Sequence, residues 1–296
     1  MLDQSYNILA VFTKPDSAVG NDNKVAENPV RDLARERNIT LYQPVKLEDD
    51  SVAILKSIGV DIILVVAYGK ILPKSILEIP GFGCINVHPS LLPKFRGPSP
   101  IQNALLLGEK ETGVTLMLMN DQVDSGDILN QDKFPIQDED TAETLRHKLA
   151  DLGAKILIET IPLWVERRIE PIKQDETQAT FCQLIEREDG HIVWEDSVGD
   201  IINRYRAMTP WPGVFGFWND GRTIRRIKLT KLSNGTVSER DGREAGQAFL
   251  DAEGRLNVQA FDGSVIIERL QLEAKREVTA TEFLNGYATF AGAILQ

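Results

Sequence analysis

Three histidines occur in the 296 residues, and their surroundings differ. His147 sits between Arg146 and Lys148 in a long helical pattern, a surface setting. His191 opens a strand-like run with no acidic or thiol cluster around it. His88 closes the apolar run Cys84-Ile85-Asn86-Val87-His88-Pro89. Side chains alternate along a strand, so Asn86 and His88 point to the same side. An amide beside an imidazole offers hydrogen bonds and a proton to whatever lies past the strand. In open α/β sheets that end of a strand is where ligands bind. Taken alone, the pair also reads as two satisfied structural side chains. Cys84 and Cys182 form neither a metal knuckle nor a disulfide framework. No metal site is predicted, and a reducing, cytoplasmic setting is expected.

The elements that must position this pair are legible from periodicity. Strand-like runs cover residues 8–12, 40–42, 62–67, 84–88 and 114–119. Helical patterns cover 29–37, 50–58, 100–107 and 141–165, the first opening on Pro29, where a missing N–H costs nothing. The run Ile62-Ile63-Leu64-Val65-Val66-Ala67 reads as a strand buried on both faces. Such alternation predicts an α/β layer fold with a mostly parallel sheet over residues 1–167. Residues 168–186 are polar and weakly periodic, as a linker is. Across 187–296, short strands are broken by Asn219-Asp220-Gly221, Asn234-Gly235, Asp241-Gly242, Glu253-Gly254 and Asp262-Gly263. Turns at that spacing predict a small β-barrel or sandwich.

No apolar run reaches membrane-spanning length, and the N-terminus has no basic region before its short apolar run. The net charge is −11, of which residues 187–296, with 14 Lys+Arg and 16 Asp+Glu, carry −2. Within that near-neutral segment lies a basic run, Arg222, Arg225, Arg226, Lys228 and Lys231. Such a run suits a phosphate-bearing partner or a solvated strand face.

Longer motifs surround the Asn86–His88 pair. Asn86-Val87-His88-Pro89-Ser90-Leu91-Leu92-Pro93 is followed by Arg96-Gly97-Pro98-Ser99-Pro100, and then by Asp124-Ser125-Gly126-Asp127. This order, with His88 and Asp124 36 positions apart, resembles the formyltransferase family that uses 10-formyltetrahydrofolate. Phe12-Thr13-Lys14-Pro15-Asp16, the stretch from Tyr68 to Pro73, Glu111-Thr112-Gly113 and Pro210-Trp211-Pro212-Gly213 extend the likeness. They are most similar to the branch of the family that formylates initiator methionyl-tRNA.

The resemblance implies a Rossmann-like formyltransferase domain followed by an OB-like β-barrel acting on tRNA. It implies catalytic roles for Asn86, His88 and Asp124. The first two would stabilise a tetrahedral oxyanion. Asp124 would hold the His88 proton and help take one from the amine. By the same resemblance Tyr68, Gly69, Ile71, Leu72 and Pro73, with Ser90, Leu91, Leu92 and Pro93, would line the folate site. Lys24, Arg222, Arg226 and Lys228 would meet tRNA. A monomer without a metal is expected.

Two departures accompany the likeness. Residues 8–12 correspond to the family's second strand, so its first strand and helix, with a Gly-Thr-Pro loop, are expected to be lacking. The loop 17–24 carries Asp22 and keeps only Lys24 of the family's basic residues there. Formylation of an amino sugar nucleotide, or folate binding without catalysis, are the competing expectations.

Overall fold

A computed structural model of the chain describes residues 6–16, 18–19, 24–25, 28–235 and 242–296, with backbone alone at 18–19 and 24–25. Two compact units emerge. One comprises Met1–Arg96, Gly113–Lys133 and Ala150–Thr180; the other comprises Gly97–Thr112, Phe134–Leu149 and Phe181–Gln296.

The first unit begins with a short parallel pair, Val11–Phe12 beside Leu41–Tyr42. The helix Pro29–Glu36 starts where the Asn28 side chain accepts from the Arg31 N–H. This satisfies one of the first-turn donors that no helical carbonyl reaches. A separate four-stranded sheet follows in the order Ile63–Val66, Cys84–His88, Glu111–Leu118, Ile128–Pro135. Ile63–Val66 runs parallel to Cys84–His88, placing Val65 opposite Asn86. Cys84–His88 runs antiparallel to Glu111–Leu118, placing His88 opposite Thr115.

The run 62–67 is not buried on both faces as its composition predicts. Ile63 and Val65 pack on a core of Leu55, Leu72, Ile76 and Cys84, whereas Val66 is 61% exposed. The face carrying Ile63 and Val65 meets the core, and the face carrying Val66 does not. Ile128–Pro135, absent from the expected elements, buries Leu129 while most of its other residues stay partly or fully exposed. Its polar residues hid the strand pattern.

In the second unit, six strands form an antiparallel sheet in the order Ala248–Leu250, Leu256–Gln259, Ser264–Leu272, Ile224–Asn234, Val214–Asn219, with Glu277–Thr279 also pairing Ser264–Leu272. The expected turns Asn219-Asp220-Gly221, Glu253-Gly254 and Asp262-Gly263 join consecutive strands, and Asn234-Gly235 closes the strand Ile224–Asn234. Gly221 and Gly254 adopt φ of 85° and 77°, the left-handed region such turns require. Asp241 lies outside the described residues. Ser197 caps the helix Val198–Met208, and Thr279 with Glu282 forms a capping box on Ala280–Gly286. No helix among the described residues is long and apolar enough to cross a membrane.

Candidate active site

Asn86, His88 and Asp124 meet at the end of the Cys84–His88 strand. Strand alternation places the first two on one side, and the loop after Glu111–Leu118 brings Asp124 to them. Asn86 Nδ2 donates to Asp124 Oδ1 at 3.4 Å. His88 is 4% exposed, with Nδ1 3.7 Å from Asp124 Oδ2 and Nε2 2.9 Å from the Phe95 carbonyl oxygen.

That last contact fixes the imidazole. A carbonyl only accepts, so Nε2 must carry a hydrogen. The neutral ring then turns the Nδ1 lone pair toward Asp124. As the imidazolium, His88 donates from both nitrogens, and Nδ1–H lies beside a carboxylate. Phe95 aims its carbonyl from a left-handed φ of 61°, with its N–H held by Thr180 Oγ1 at 2.8 Å.

The Ser90–Pro93 loop is tied down as firmly. Thr115, fully buried, donates to the Ser90 carbonyl at 2.6 Å and accepts from the Leu92 N–H at 3.2 Å. Gln131 Nε2 reaches both Thr115 Oγ1, at 2.8 Å, and the Leu92 carbonyl, at 3.0 Å. Ser90 Oγ donates to the Lys94 carbonyl at 2.7 Å. Neither Gln131 nor Thr115 stood out in the sequence, because a polar residue in a strand carries no mark of the loop it will meet.

The Asp124 loop needs a glycine at 126. A Cβ there would lie 1.6 Å from the Leu118 carbonyl oxygen. Asp124 itself has a φ of 47°. Gln174 Nε2 donates to the carbonyls of Asp124, at 2.9 Å, and Gly126, at 2.7 Å. Its Oε1 accepts from Arg96 Nε and Nη2, at 3.0 and 2.8 Å. Arg96 is 2% exposed and also grips both oxygens of Glu176, at 2.9 and 2.7 Å. That guanidinium holds the Glu176 carboxyl below its usual range.

Of the residues expected to line a folate site, Tyr68 is half-buried, and its hydroxyl has no hydrogen-bond partner among the described residues. Burial pushes its phenol up. Gly69 adopts a φ of 68°. Ile71 is 83% exposed and, with Pro73, lines a cavity of about 450 Å³ shared with Val45, Lys46, Leu47 and Lys70. Leu72 belongs to the core, and Leu92 and Ser90 are buried. Leu91 and Pro93 are half-buried. Burial also pushes the Cys84 thiol up to about 12, so it stays protonated two residues from Asn86. Among the described residues no cluster of His, Cys, Asp and Glu could hold a metal ion.

The basic run of the second unit lies on and beside the strand Ile224–Asn234. Arg226 and Lys228 share one face with Phe217 and Phe215, their antiparallel partners. Arg226 stacks over the Phe215 ring at 3.6 Å, which itself stacks with His191. Arg222 lies in the turn ahead of the strand and is exposed. Arg225 is paired with Asp220 at 2.8 Å, and Lys231 with Glu268 at 2.6 Å. Lys24 lies in a two-residue strand, and its side chain falls outside the described residues. In the sequence His191 shows no acidic or thiol cluster, and nothing there marks the two phenylalanines. Only the pairing of strands places the phenylalanines beside Arg226 and Lys228, with Phe215 itself buried at 1% exposure.

The sheet, with one parallel and one antiparallel pairing along Cys84–His88, presents an amide, an imidazole and a carboxylate at one strand end. The chain belongs to the formyl transferase family: residues 2–161 match the formyl transferase domain, and residues 184–288 match the formyl transferase C-terminal domain. It is 41% identical to the methionyl-tRNA formyltransferase of Caldicellulosiruptor saccharolyticus over 298 aligned residues, covering 99% of this chain and 93% of that one. In structure it resembles methionyl-tRNA formyltransferase from Clostridium thermocellum, with a TM-score of 0.52 at 24% identity over 72% of this chain and 88% of the other. It likewise resembles WlaRD, a sugar 3N-formyl transferase solved in the presence of dTDP and 5-N-formyl-THF, with a TM-score of 0.61 at 20% identity over 90% and 88%.

Proposed function

We propose that this chain transfers the formyl group of 10-formyltetrahydrofolate to the α-amino group of initiator methionyl-tRNA. The observation that carries the chemistry is the meeting of Asn86, His88 and Asp124 around one strand end. Full-length similarity to methionyl-tRNA formyltransferases supports the acceptor. Formylation of an amino sugar nucleotide has a structural likeness behind it, but one at 20% identity, which speaks for the fold alone.

The amine attacks the formyl carbon, and the carbonyl electrons move onto oxygen. Asn86 Nδ2–H and the Nδ1–H of a protonated His88 stabilise that developing charge. Asp124 accepts the proton released by the attacking nitrogen. His88 then supplies a proton to the departing folate nitrogen as its bond to the formyl carbon breaks. Asp124 returns a proton to His88 Nδ1, which lies 3.7 Å away, and the pair is restored. Phe95 keeps the ring in this orientation throughout.

For the folate we propose the segment from Tyr68 to Pro73 and the loop Ser90–Pro93 as its wall. Ile71 and Pro73 supply exposed or half-buried apolar surface. Leu72, Leu92 and Ser90 contribute by holding the backbone, since their side chains are buried. For tRNA we propose Arg222, Arg226 and Lys228, together with Lys24; Arg226 stacks on Phe215, Lys228 is the cross-strand partner of Phe215, and Arg222 is exposed in the turn ahead of the strand.

An acceptor screen tests the reading. With 10-formyltetrahydrofolate as donor, methionyl initiator tRNA should be formylated far faster than dTDP-linked amino sugars. The reverse order would move the chain to the sugar-acting branch, and no transfer to either acceptor would favour folate binding without catalysis.

A further inference from the structure

Gln174 lies in the polar stretch after the long helix Ala142–Val165, where composition suggests only a linker. Its side chain uses every hydrogen-bonding group it has. Both amide hydrogens go to the carbonyls of Asp124 and Gly126, and the oxygen takes two donors from Arg96. The amide orientation is unambiguous, because a guanidinium only donates and the two carbonyls only accept. Arg96 is in turn clamped by the Glu176 carboxylate.

Burying a guanidinium to 2% exposure is costly unless its partners compensate. Here the compensation runs into the loop that carries Asp124. That loop needs an external tie. Asp124 sits in the left-handed region, which disfavours a side chain-bearing residue, and its backbone lies outside any strand. Strain of this kind persists where surrounding contacts over-determine the conformation. The Gln174 amide supplies those contacts on the two carbonyls flanking Ser125, while the Asp124 side chain faces His88 and Asn86.

We propose that Gln174, locked in place by Arg96, is a positioning residue that holds the Asp124 loop so that the carboxylate stays against His88. The inference rests on the reading of Asp124 and His88 as the proton-handling pair. It assigns to the segment beyond the long helix a part in turnover. Gln174 touches no reacting atom and works through the Asp124 backbone.

Gln174→Glu is the discriminating variant. It keeps the side-chain shape and the acceptor for Arg96, and it removes both N–H donors to the loop. The full-length protein is assayed with 10-formyltetrahydrofolate and methionyl initiator tRNA, as Gln174→Glu, Asp124→Asn and the double variant. The expected kcat loss for Gln174→Glu is about ten- to hundredfold, the size of two lost hydrogen bonds, with KM for both substrates little changed and a displaced pH–rate profile. In the Asp124→Asn background the same change should cost less than about threefold, because the carboxylate it positions is already gone. Gln174→Leu, which also abandons Arg96, should lose as much kcat and lower the melting temperature as well. Parent-like kcat in Gln174→Glu overturns the inference. So does an equal loss in both backgrounds, which would mean that Gln174 acts independently of Asp124. Parent-like turnover in Asp124→Asn overturns the reading of Asp124 itself, and the inference with it; the single variant identifies that case.

Discussion

Two polar surfaces of this protein are built on different terms. At the end of the Cys84–His88 strand every group has an assigned partner. His88 is oriented by Phe95, Asn86 by Asp124, and the Asp124 loop by Gln174 and Arg96. On the strand Ile224–Asn234 the cations are looser. Arg226 rests on an aromatic ring, Arg222 is exposed, and Arg225 and Lys231 are tied to their own carboxylates. The first arrangement suits chemistry, where a small displacement of a donor is expensive. The second suits a partner bound through many weak phosphate contacts, each replaceable. One consequence is that single substitutions should be severe at the first surface and mild at the second.

The sharpest way to break the contrast is at the strand end. Asn86→Ala and His88→Ala should each lower turnover by about 100- to 1000-fold while the melting temperature stays near the parent's. Folded variants that turn over like the parent would remove these residues from the chemistry.

Next in size comes Gly126→Ala. Its Cβ would meet the Leu118 carbonyl at 1.6 Å, so the loop must move. A destabilisation of roughly 1–3 kcal/mol is expected, together with reduced turnover. Thermal unfolding and a steady-state assay of the same sample test this, and unchanged values in both would show that the loop yields freely.

At the second surface, neutralising Arg222, Arg226 and Lys228 to glutamine should weaken tRNA binding. The slope of log affinity against log salt should flatten by roughly 0.7–0.9 per lost contact. Formylation of a small amine acceptor should barely change. A triple variant with the parent's affinity and salt slope would identify the run as a solvated face.

The smallest effect concerns Glu176, whose carboxyl the Arg96 guanidinium holds low. A depressed carboxylate contributes stability above its unfolded value, and that contribution is lost as pH falls through the folded one. The parent should therefore melt slightly above Glu176→Gln near neutral pH, with the gap closing as pH drops below about 4. The carboxylate is 69% exposed, so the difference is small, and a gap that widens in acid would contradict the assignment.

Much of this was legible in the chain. Asn86 and His88 stand two apart in an apolar run, and period-2 alternation alone puts them on one side. The Asn219-Asp220-Gly221 and Glu253-Gly254 turns announced their hairpins, because few residues tolerate a left-handed backbone. The run 62–67 misled for a related reason. Composition reports how apolar a strand is, whereas what packs above and below the sheet decides how many faces are covered, and here Ile63 and Val65 meet the core while Val66 does not.

The sequence by itself determined the local geometry: strand parity, helix starts, turn positions, and the motif order that marks a formyl transferase. Tertiary structure alone decided which distant atoms complete the site. Gln174 stands 50 positions from Asp124, and Thr180 stands 85 from Phe95. Nothing local distinguishes them from other polar residues of a solvated segment. Their roles arise where two loops leave backbone carbonyls and amides unpaired, and such needs exist only once the strands have brought those loops together.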